Sequence, residues 1–489
     1  MIATTYPALF RLILPETIVA ATALVVLTVD LVLMRDAGTR LRFAIGALIS
    51  CIGCAGSIAL MLIAPQQANI FDGILVIDPQ TPLIQIALLV LTILMILISI
   101  ESTFTKHVGE YLALVLFAAT SMMFLVSSQN LLLIFISLEL LSLSLYILAA
   151  FDKRSAQSAE ASLKYFLFGA TSAAFMLFGF SLVYGLTGST NLTQIADATK
   201  GRPLDPLLIA AIVMTIIGFG FKVAAVPFHF WAPDVYEGAP PVSAALIASS
   251  SKVAGIVIFY QVMVIGFSGV ETPGVWKDHM PVWVPAIACL AALSMVLGNL
   301  VAIRQASVRR LLAYSAIAHV GYMLLALVSH TEQSFSALLY YALTYALTTI
   351  GAFGVVAVVE AKIGGDKLSD FSGLSRRAPV LSFCMLIFML SLAGIPPLAG
   401  FFGKFYIFAA ALAAAPQTLG LLWLVILAIA MSAVSLYYYL QVLKRIYIAD
   451  PPADAGPIQV SVVSQIVLCL IAFGVALLGC APNILLGRL

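Results

Sequence analysis

The chain has 489 residues, 62% hydrophobic and 9% charged, with a mean hydropathy of +1.11 and a formal net charge of +2. A soluble domain carries roughly 25% charged residues, so this composition excludes one and leaves a polytopic membrane protein. The small net charge, with no basic run of five or more residues, argues against a nucleic-acid partner.

A bilayer core takes about 20 apolar residues of helix. On that scale the chain predicts fourteen spans, over 12–34, 41–64, 80–100, 109–127, 130–150, 158–186, 206–230, 241–267, 281–303, 308–329, 333–360, 379–411, 418–447 and 460–481. The N-terminus runs into the first span without a cleavable leader pattern, and Pro15 and Glu16 suit a helix start. Asp30 and Glu360 lie near span ends and read as interfacial. The six cysteines sit in apolar stretches and read as packing residues. Cys51 and Cys54 form a CxxC, but no second pair or nearby histidine completes a metal site. Asp78, ahead of Pro79, reads as the N-cap of span 3.

Span 5 carries Glu139, in LLIFISLELLSLSLY, about eleven residues before the next loop. Lys164 lies at a similar distance into span 6, and the short connection makes the two spans antiparallel neighbours. A Glu139–Lys164 ion pair is therefore expected. Lys222, Lys252 and Lys404 interrupt spans 7, 8 and 12, in GFGFKVAAV, ASSSKVAGI and GFFGKFYIF. A charge near mid-membrane costs about 2.5–3.5 kcal/mol on insertion scales and usually marks an ion or proton path. Snorkelling, the alternative, suits span ends rather than these central positions. Desolvation disfavours the charged form of a lysine, which brings such a group towards exchanging a proton near neutral pH. A nearby carboxylate restores the charge, so moving that partner switches the lysine.

Helix breakers accompany these lysines. Pro227 follows Lys222 and deprives the Val223 carbonyl of its helical partner; Pro396 and Pro397 do the same to Leu392 and Ala393. An orphan carbonyl at membrane depth must find water or a polar side chain. Lys252 lies eleven residues beyond Pro241, about 16 Å along a helix. His319, in AYSAIAHVGYM, is either a hydrogen-bonded core histidine or a proton relay. His229 is a proton-entry group or a loop residue, Asp234 and Glu237 read as solvated or capping, and the Tyr437–Tyr438–Tyr439 cluster reads as interfacial or packing. His107, His279 and His330 lie in loops and take no role.

Sides follow from basic residues. After odd-numbered spans lie Arg35, Arg40, Arg42, Lys106, Lys153, Arg154, Arg304, Arg309, Arg310, Lys362, Lys367, Arg376, Arg377, Lys444 and Arg445; the other side has Arg11, Lys200, Arg202, Lys277 and Arg488. This places the odd loops in the cytoplasm and both termini outside. Broken spans 7 and 12 are five apart, and a tandem five-helix unit must invert. The expected architecture is an all-α polytopic membrane protein with two inverted five-helix repeats, spans 4–8 (109–267) and 9–13 (281–447), flanked by 1–108 and 448–489. Inverted units with broken helices and midplane charge are a transporter design. No paired membrane histidines suit haem, no cysteine set suits an iron–sulfur cluster, and no dinucleotide or Walker A motif occurs. The reading is a chain without redox centres or ATP hydrolysis, driven by a partner or another ion.

FKVAAVPFHFWAPDVYEGAPPVSAALIASSSKVAG, RRLLAYSAIAHVGYMLLAL and LSLAGIPPLAGFFGKFYIF resemble the antiporter-like subunits of respiratory NADH:quinone oxidoreductase (complex I) and of multi-subunit cation/proton antiporters. WAPDVYEGAP, the length, the ending PNILLGRL and lysine rather than glutamate at 404 favour the N branch of that family. The resemblance implies an inner-membrane subunit packed against other complex I membrane subunits, with no cofactor of its own. The complex would use NADH and a quinone, with flavin and iron–sulfur clusters in other subunits. Glu139 and Lys164 would be the coupling pair and Lys222 the central protonatable lysine. Lys252 and His319 would relay towards Lys404, on the outward route. The alternatives are a sodium/proton antiporter subunit, a free-standing solute exporter and a structural scaffold.

Overall fold

The computed structural model describes residues 6–71, 73–202, 204–270, 281–414, 420–452 and 456–489. Lys277 and His279 lie outside them. The chain is nearly all helical. In chain order the helices that matter below are α1 Leu14–Thr28, α2 Thr39–Ile63, α3 Thr81–Ser99, α4 Val108–Val126, α5 Leu131–Ala149, α6 Ala156–Thr187, α7 Pro206–Val223, α8 Trp231–Gly238, α9 Pro241–Ala248 and α10 Ser250–Gln261. There follow α11 Val284–Ala302, α12 Val308–Ser329, α13 Glu332–Ile363, α14 Pro379–Ala393, α15 Ala399–Ala413, α16 Leu422–Tyr447 and α17 Val462–Cys480. A π turn, Val29–Leu33, prolongs α1. One small exception to the all-helical expectation is a hairpin in which Ala68–Ile70 pairs antiparallel with Leu75–Ile77.

Starts and stops follow local chemistry. Asn130, Ser155, Asp205 and Ser307 accept the first free backbone N–H groups of α5, α6, α7 and α12. The Asp78 carboxylate accepts from the backbone N–H groups of Gln80 and Thr81 at the start of α3, as expected of a cap. Gly188 and Gly364 close α6 and α13 in the left-handed conformation that favours glycine.

Thirteen described helical segments are long and apolar enough to cross a membrane. The remaining expected span, the twelfth (379–411), is two shorter apolar helices, α14 and α15. Span 7 is likewise shorter than expected, because α7 ends at Val223. Span 8 is divided at Ser249 into α9 and α10. The segment formed by α9 and α10, with α12 and α13, makes the enclosed interior, while α2 and α6 expose most of their surface. That exposed surface is apolar, as in Leu163, Phe166, Leu167 and Phe178 of α6, which suits lipid.

The two breaks are built alike. At the first, Ala224 N–H bonds the Phe221 carbonyl (3.0 Å) and Ala225 N–H the Gly220 carbonyl (2.8 Å). At the second, Gly394 N–H bonds Ser391 and Ile395 N–H bonds Leu390, both at 3.0 Å. Each pair of bonds is a Schellman motif around a left-handed residue, Ala224 (φ 62°) or Gly394 (φ 85°). Pro227 and Pro397 both lie three residues beyond that residue. The alignment sets the two lysines on different sides of their breaks. Lys222 precedes its break by two residues and Lys404 follows its break by ten, so Lys404 corresponds to Asp234 and not to Lys222.

Candidate functional site

Lys222 sits in the last turn of α7 and is buried. Its Nζ donates to Ser142 Oγ on α5 (3.1 Å), one turn from Glu139, and Lys222 and Glu139 interact electrostatically. The stem of Lys222 passes Gly255 of α10; a β-carbon there would stand 3.3 Å from Lys222 Cγ. Gly255 lies one turn beyond Lys252, so the missing side chain lets the two lysine-bearing helices meet. The Phe221 carbonyl at the break, which takes the Ala224 N–H, also accepts from Trp231 Nε1 (3.0 Å). Trp231 in turn stacks on Tyr165 of α6, with ring centroids 4.3 Å apart.

Lys252 occupies the first turn of α10, 2% exposed. Its Nζ has no hydrogen-bond partner and lies over the Tyr236 ring, 5.7 Å from the centroid. Tyr236 Oη and Ser250 Oγ are also buried without partners. His319, on α12, is held by two phenols: Nδ1 meets Tyr341 Oη at 2.6 Å and Nε2 meets Tyr439 Oη at 3.1 Å. Tyr439 also bonds Ser315. His319 lies in electrostatic reach of both Lys252 and Lys404.

Lys404, on α15, closes the second break. Its Nζ donates to the carbonyls of Leu392 and Ala393, both at 3.1 Å, and to Ser432 Oγ at 2.8 Å. Those are the two carbonyls that Pro396 and Pro397 orphan, so a polar side chain meets the need read from the sequence. The ammonium also lies 5.2 Å from the Tyr322 ring centroid.

Lys164 is not with Glu139. It bonds Glu160 and Asp234, each at 2.7 Å, and this corrects the expected ion pair. Arg310 joins the cluster through Asp234 (2.8 Å) and Glu237 (2.9 Å). Asp234 and Glu237 are thus network residues of α8, not loop or capping ones. Burial raises the Asp234 carboxyl, but hydrogen bonds from Lys164 and Arg310 outweigh it and hold the group below the usual carboxylate range. A depressed carboxyl stabilises above its unfolded value, about pH 4, and that stability is lost as pH falls through the folded one. The difference in thermal midpoint between the native chain and Asp234→Asn should therefore be flat from neutral to about pH 5 and vanish in stronger acid. Solvent screening keeps its size within about 1 kcal/mol. A difference that grows on acidification would contradict this network.

Asp30 is buried near its span end: Arg42 donates to it twice (2.7 and 2.5 Å) and Gly109 N–H once (2.9 Å). Glu360 stands 3.4 Å from Arg309. His229 is buried, with Nδ1 unpartnered.

The family model described as NADH:quinone oxidoreductase/Mrp antiporter, TM, matches residues 128–432, which include all six candidate residues. The chain belongs to that family. NADH-quinone oxidoreductase subunit N 2 of Acidobacterium capsulatum is 53% identical, over 98% of both chains. Respiratory complex I from Thermus thermophilus with bound aureothin contains a chain with TM-score 0.77 and 33% identity, covering 97% of this chain and 98% of that one. The Mrp complex from Dietzia sp. shares the fold alone, with TM-score 0.79 and 19% identity over 97% of this chain and 96% of that one. As a member of the NADH:quinone oxidoreductase/Mrp family, the chain falls with subunit N, as its sequence resemblance implied. Sequence reasoning about this family member missed the tyrosines around His319, the Lys164 network and the serines at Lys222 and Lys404. Only Tyr437–Tyr438–Tyr439 gives a signal, one that reads as interfacial or packing.

Proposed function

We propose that this chain is the proton-translocating N subunit of a bacterial NADH:quinone oxidoreductase, moving protons along Glu139, Lys222, Lys252, His319 and Lys404. One observation carries the reading. Among the described residues, no carboxylate lies within ion-pair distance of Lys222, Lys252 or Lys404, although all three are buried. Structural cations at that depth are paired. These have hydroxyls, carbonyls, tyrosine faces or nothing, a setting in which either charge state is tolerable. The family membership and the subunit N relatives support the same reading over that of a sodium/proton antiporter.

On this reading redox chemistry and all cofactors belong to partner subunits, and the chain is the electrostatic end of the coupling. Glu139 is half-buried, with exposed Ile136 and Leu140 nearby on α5. It therefore faces outwards, where a neighbouring membrane subunit would perturb it. Its charge acts on Lys222 directly. Lys164 acts through α8 instead: with Arg310 it anchors Asp234, and the same helix carries Trp231, which caps the break beside Lys222. Exporting one charge against 100 mV requires about 2.3 kcal/mol, the equivalent of a shift of about two pKa units. The basic-rich face would be cytoplasmic and both termini outside. The two similar breaks support, but do not complete, the pair of inverted five-helix units.

The relay through His319 has its own test. Tyr341→Phe and Tyr439→Phe each remove one hydroxyl from the imidazole, a loss of about 1 kcal/mol per hydrogen bond. Proton translocation by the assembled complex, followed by dye quenching in proteoliposomes, is expected to slow in each and more in the double variant. An unchanged rate in the double variant would take His319 off the path.

A further inference from the structure

Two buried carboxylates among the described residues lie outside both this path and the segment matched by the family model, and of these Asp30 is paired with Arg42 while Glu16 has no such partner. Glu16, in the first turn of α1, is 2% exposed. Its Oε1 accepts from Gln85 Nε2 on α3 (2.7 Å), and the same amide donates to the Met123 carbonyl of α4 (3.2 Å). Its Oε2 is buried with no partner, and among the described residues no cation stands within ion-pair distance of it. Glu16 and Gln85 line a cavity of about 30 Å³ with Met61, Ile77 and Arg11. A single water needs about 10–15 Å³ by this measure. Among the described residues, Arg11 is the only charged or titratable side chain besides Glu16 in that lining, and it is exposed.

The bland account is an ionised acid favoured by the helix N-terminus. That interaction gives about 0.3–1 kcal/mol, up to roughly 2 in partly buried geometry. An unpaired buried ion costs several kcal/mol, and two neutral donors, the Gln85 amide and Glu16's own backbone N–H, are too few to offset it. A carboxylic acid, by contrast, offers one O–H donor and keeps acceptor capacity. That inventory fits: Oε1 accepts from Gln85, and an O–H on the unpartnered Oε2 leaves a donor for water in the cavity that Glu16 lines.

We propose that Glu16 is a proton-holding site, a neutral carboxylic acid whose proton exchanges with bulk water through the small cavity beside Arg11. It lies at the end of α1 remote from Arg35 and Arg40, hence on the face opposite the basic-rich one. The proposal rests on none of the roles given to the lysines.

Infrared difference spectroscopy on the purified assembled complex tests it. The spectrum of the native complex minus that of Glu16→Gln should contain the carbonyl stretch of a protonated carboxyl at neutral pH. That band should move to lower frequency in D2O. A carboxylate doublet in its place would overturn the proposal, and a carboxyl band indifferent to D2O would overturn the exchange. The glutamine side chain reproduces the shape and neutrality of the acid, so the variant should assemble with an unchanged thermal midpoint. Failure of Glu16→Gln to assemble would equally contradict a neutral acid.

Discussion

Lys222→Arg is expected to assemble normally and to slow proton translocation by about tenfold or more. The guanidinium keeps a positive charge beside Glu139 and a donor for Ser142 Oγ, so the packing of α7 on α5 should survive. What it loses is the neutral state. Arginine's intrinsic pKa lies about 2–3 units above lysine's, so the deprotonated form is roughly 100- to 1000-fold rarer. A residue that only balances charge would tolerate the exchange. One that must release a proton in each cycle would not. The rate of acidification of proteoliposomes containing the variant complex, against native complex at equal content, distinguishes the two. A native rate would limit Lys222 to charge balance.

Lys404→Ala is expected to be the most destabilising single change in the row, through loss of bonds rather than of charge. It strips the donor from the Leu392 and Ala393 carbonyls and from Ser432 Oγ together. A buried acceptor left unsatisfied costs about 1–3 kcal/mol, so the two carbonyls alone amount to roughly 2–6 kcal/mol. The thermal midpoint of the solubilised complex should fall clearly, and amides near the end of α14 should exchange faster. Lys404→Arg restores donors at the same place and should recover most of the stability while leaving translocation impaired. An unchanged midpoint in the alanine variant would contradict the capping role.

The membrane class, the spans and the buried lysines were legible because an apolar helix advertises any charge it carries. The broken helices were legible from Pro227 and from Pro396–Pro397, and so was the orphaning of the Leu392 and Ala393 carbonyls. The donor was not, because Lys404 reaches back across the break and its role depends on how α15 is laid against α14. The Glu139–Lys164 pairing failed for a similar reason. Depth along a helix is readable from residue counts, but azimuth is not. Glu139 turns outwards, and Lys164 turns to Asp234 on a helix that the sequence presented as a loop. The tyrosine triplet illustrates the same limit. Successive residues rotate by 100° around a helix, so Tyr437 is exposed while Tyr438 and Tyr439 are buried, the last against His319. Glu16 was hidden by its plausibility, since an acid in a first helical turn usually needs no further explanation.

The central claim is that these buried lysines are there to carry protons, and Lys252 puts it to the sharpest test. Its ammonium has no hydrogen bond to lose and lies over the face of Tyr236. Lys252→Met keeps the length and removes a buried unpaired polar group. A purely structural view therefore predicts a variant as stable as the native chain, or more so, and equally active. The decisive measurement is the number of protons moved per NADH oxidised by the variant complex in proteoliposomes. Proton carriage through Lys252 predicts a reduced ratio with no loss of thermal stability. A native ratio would contradict it.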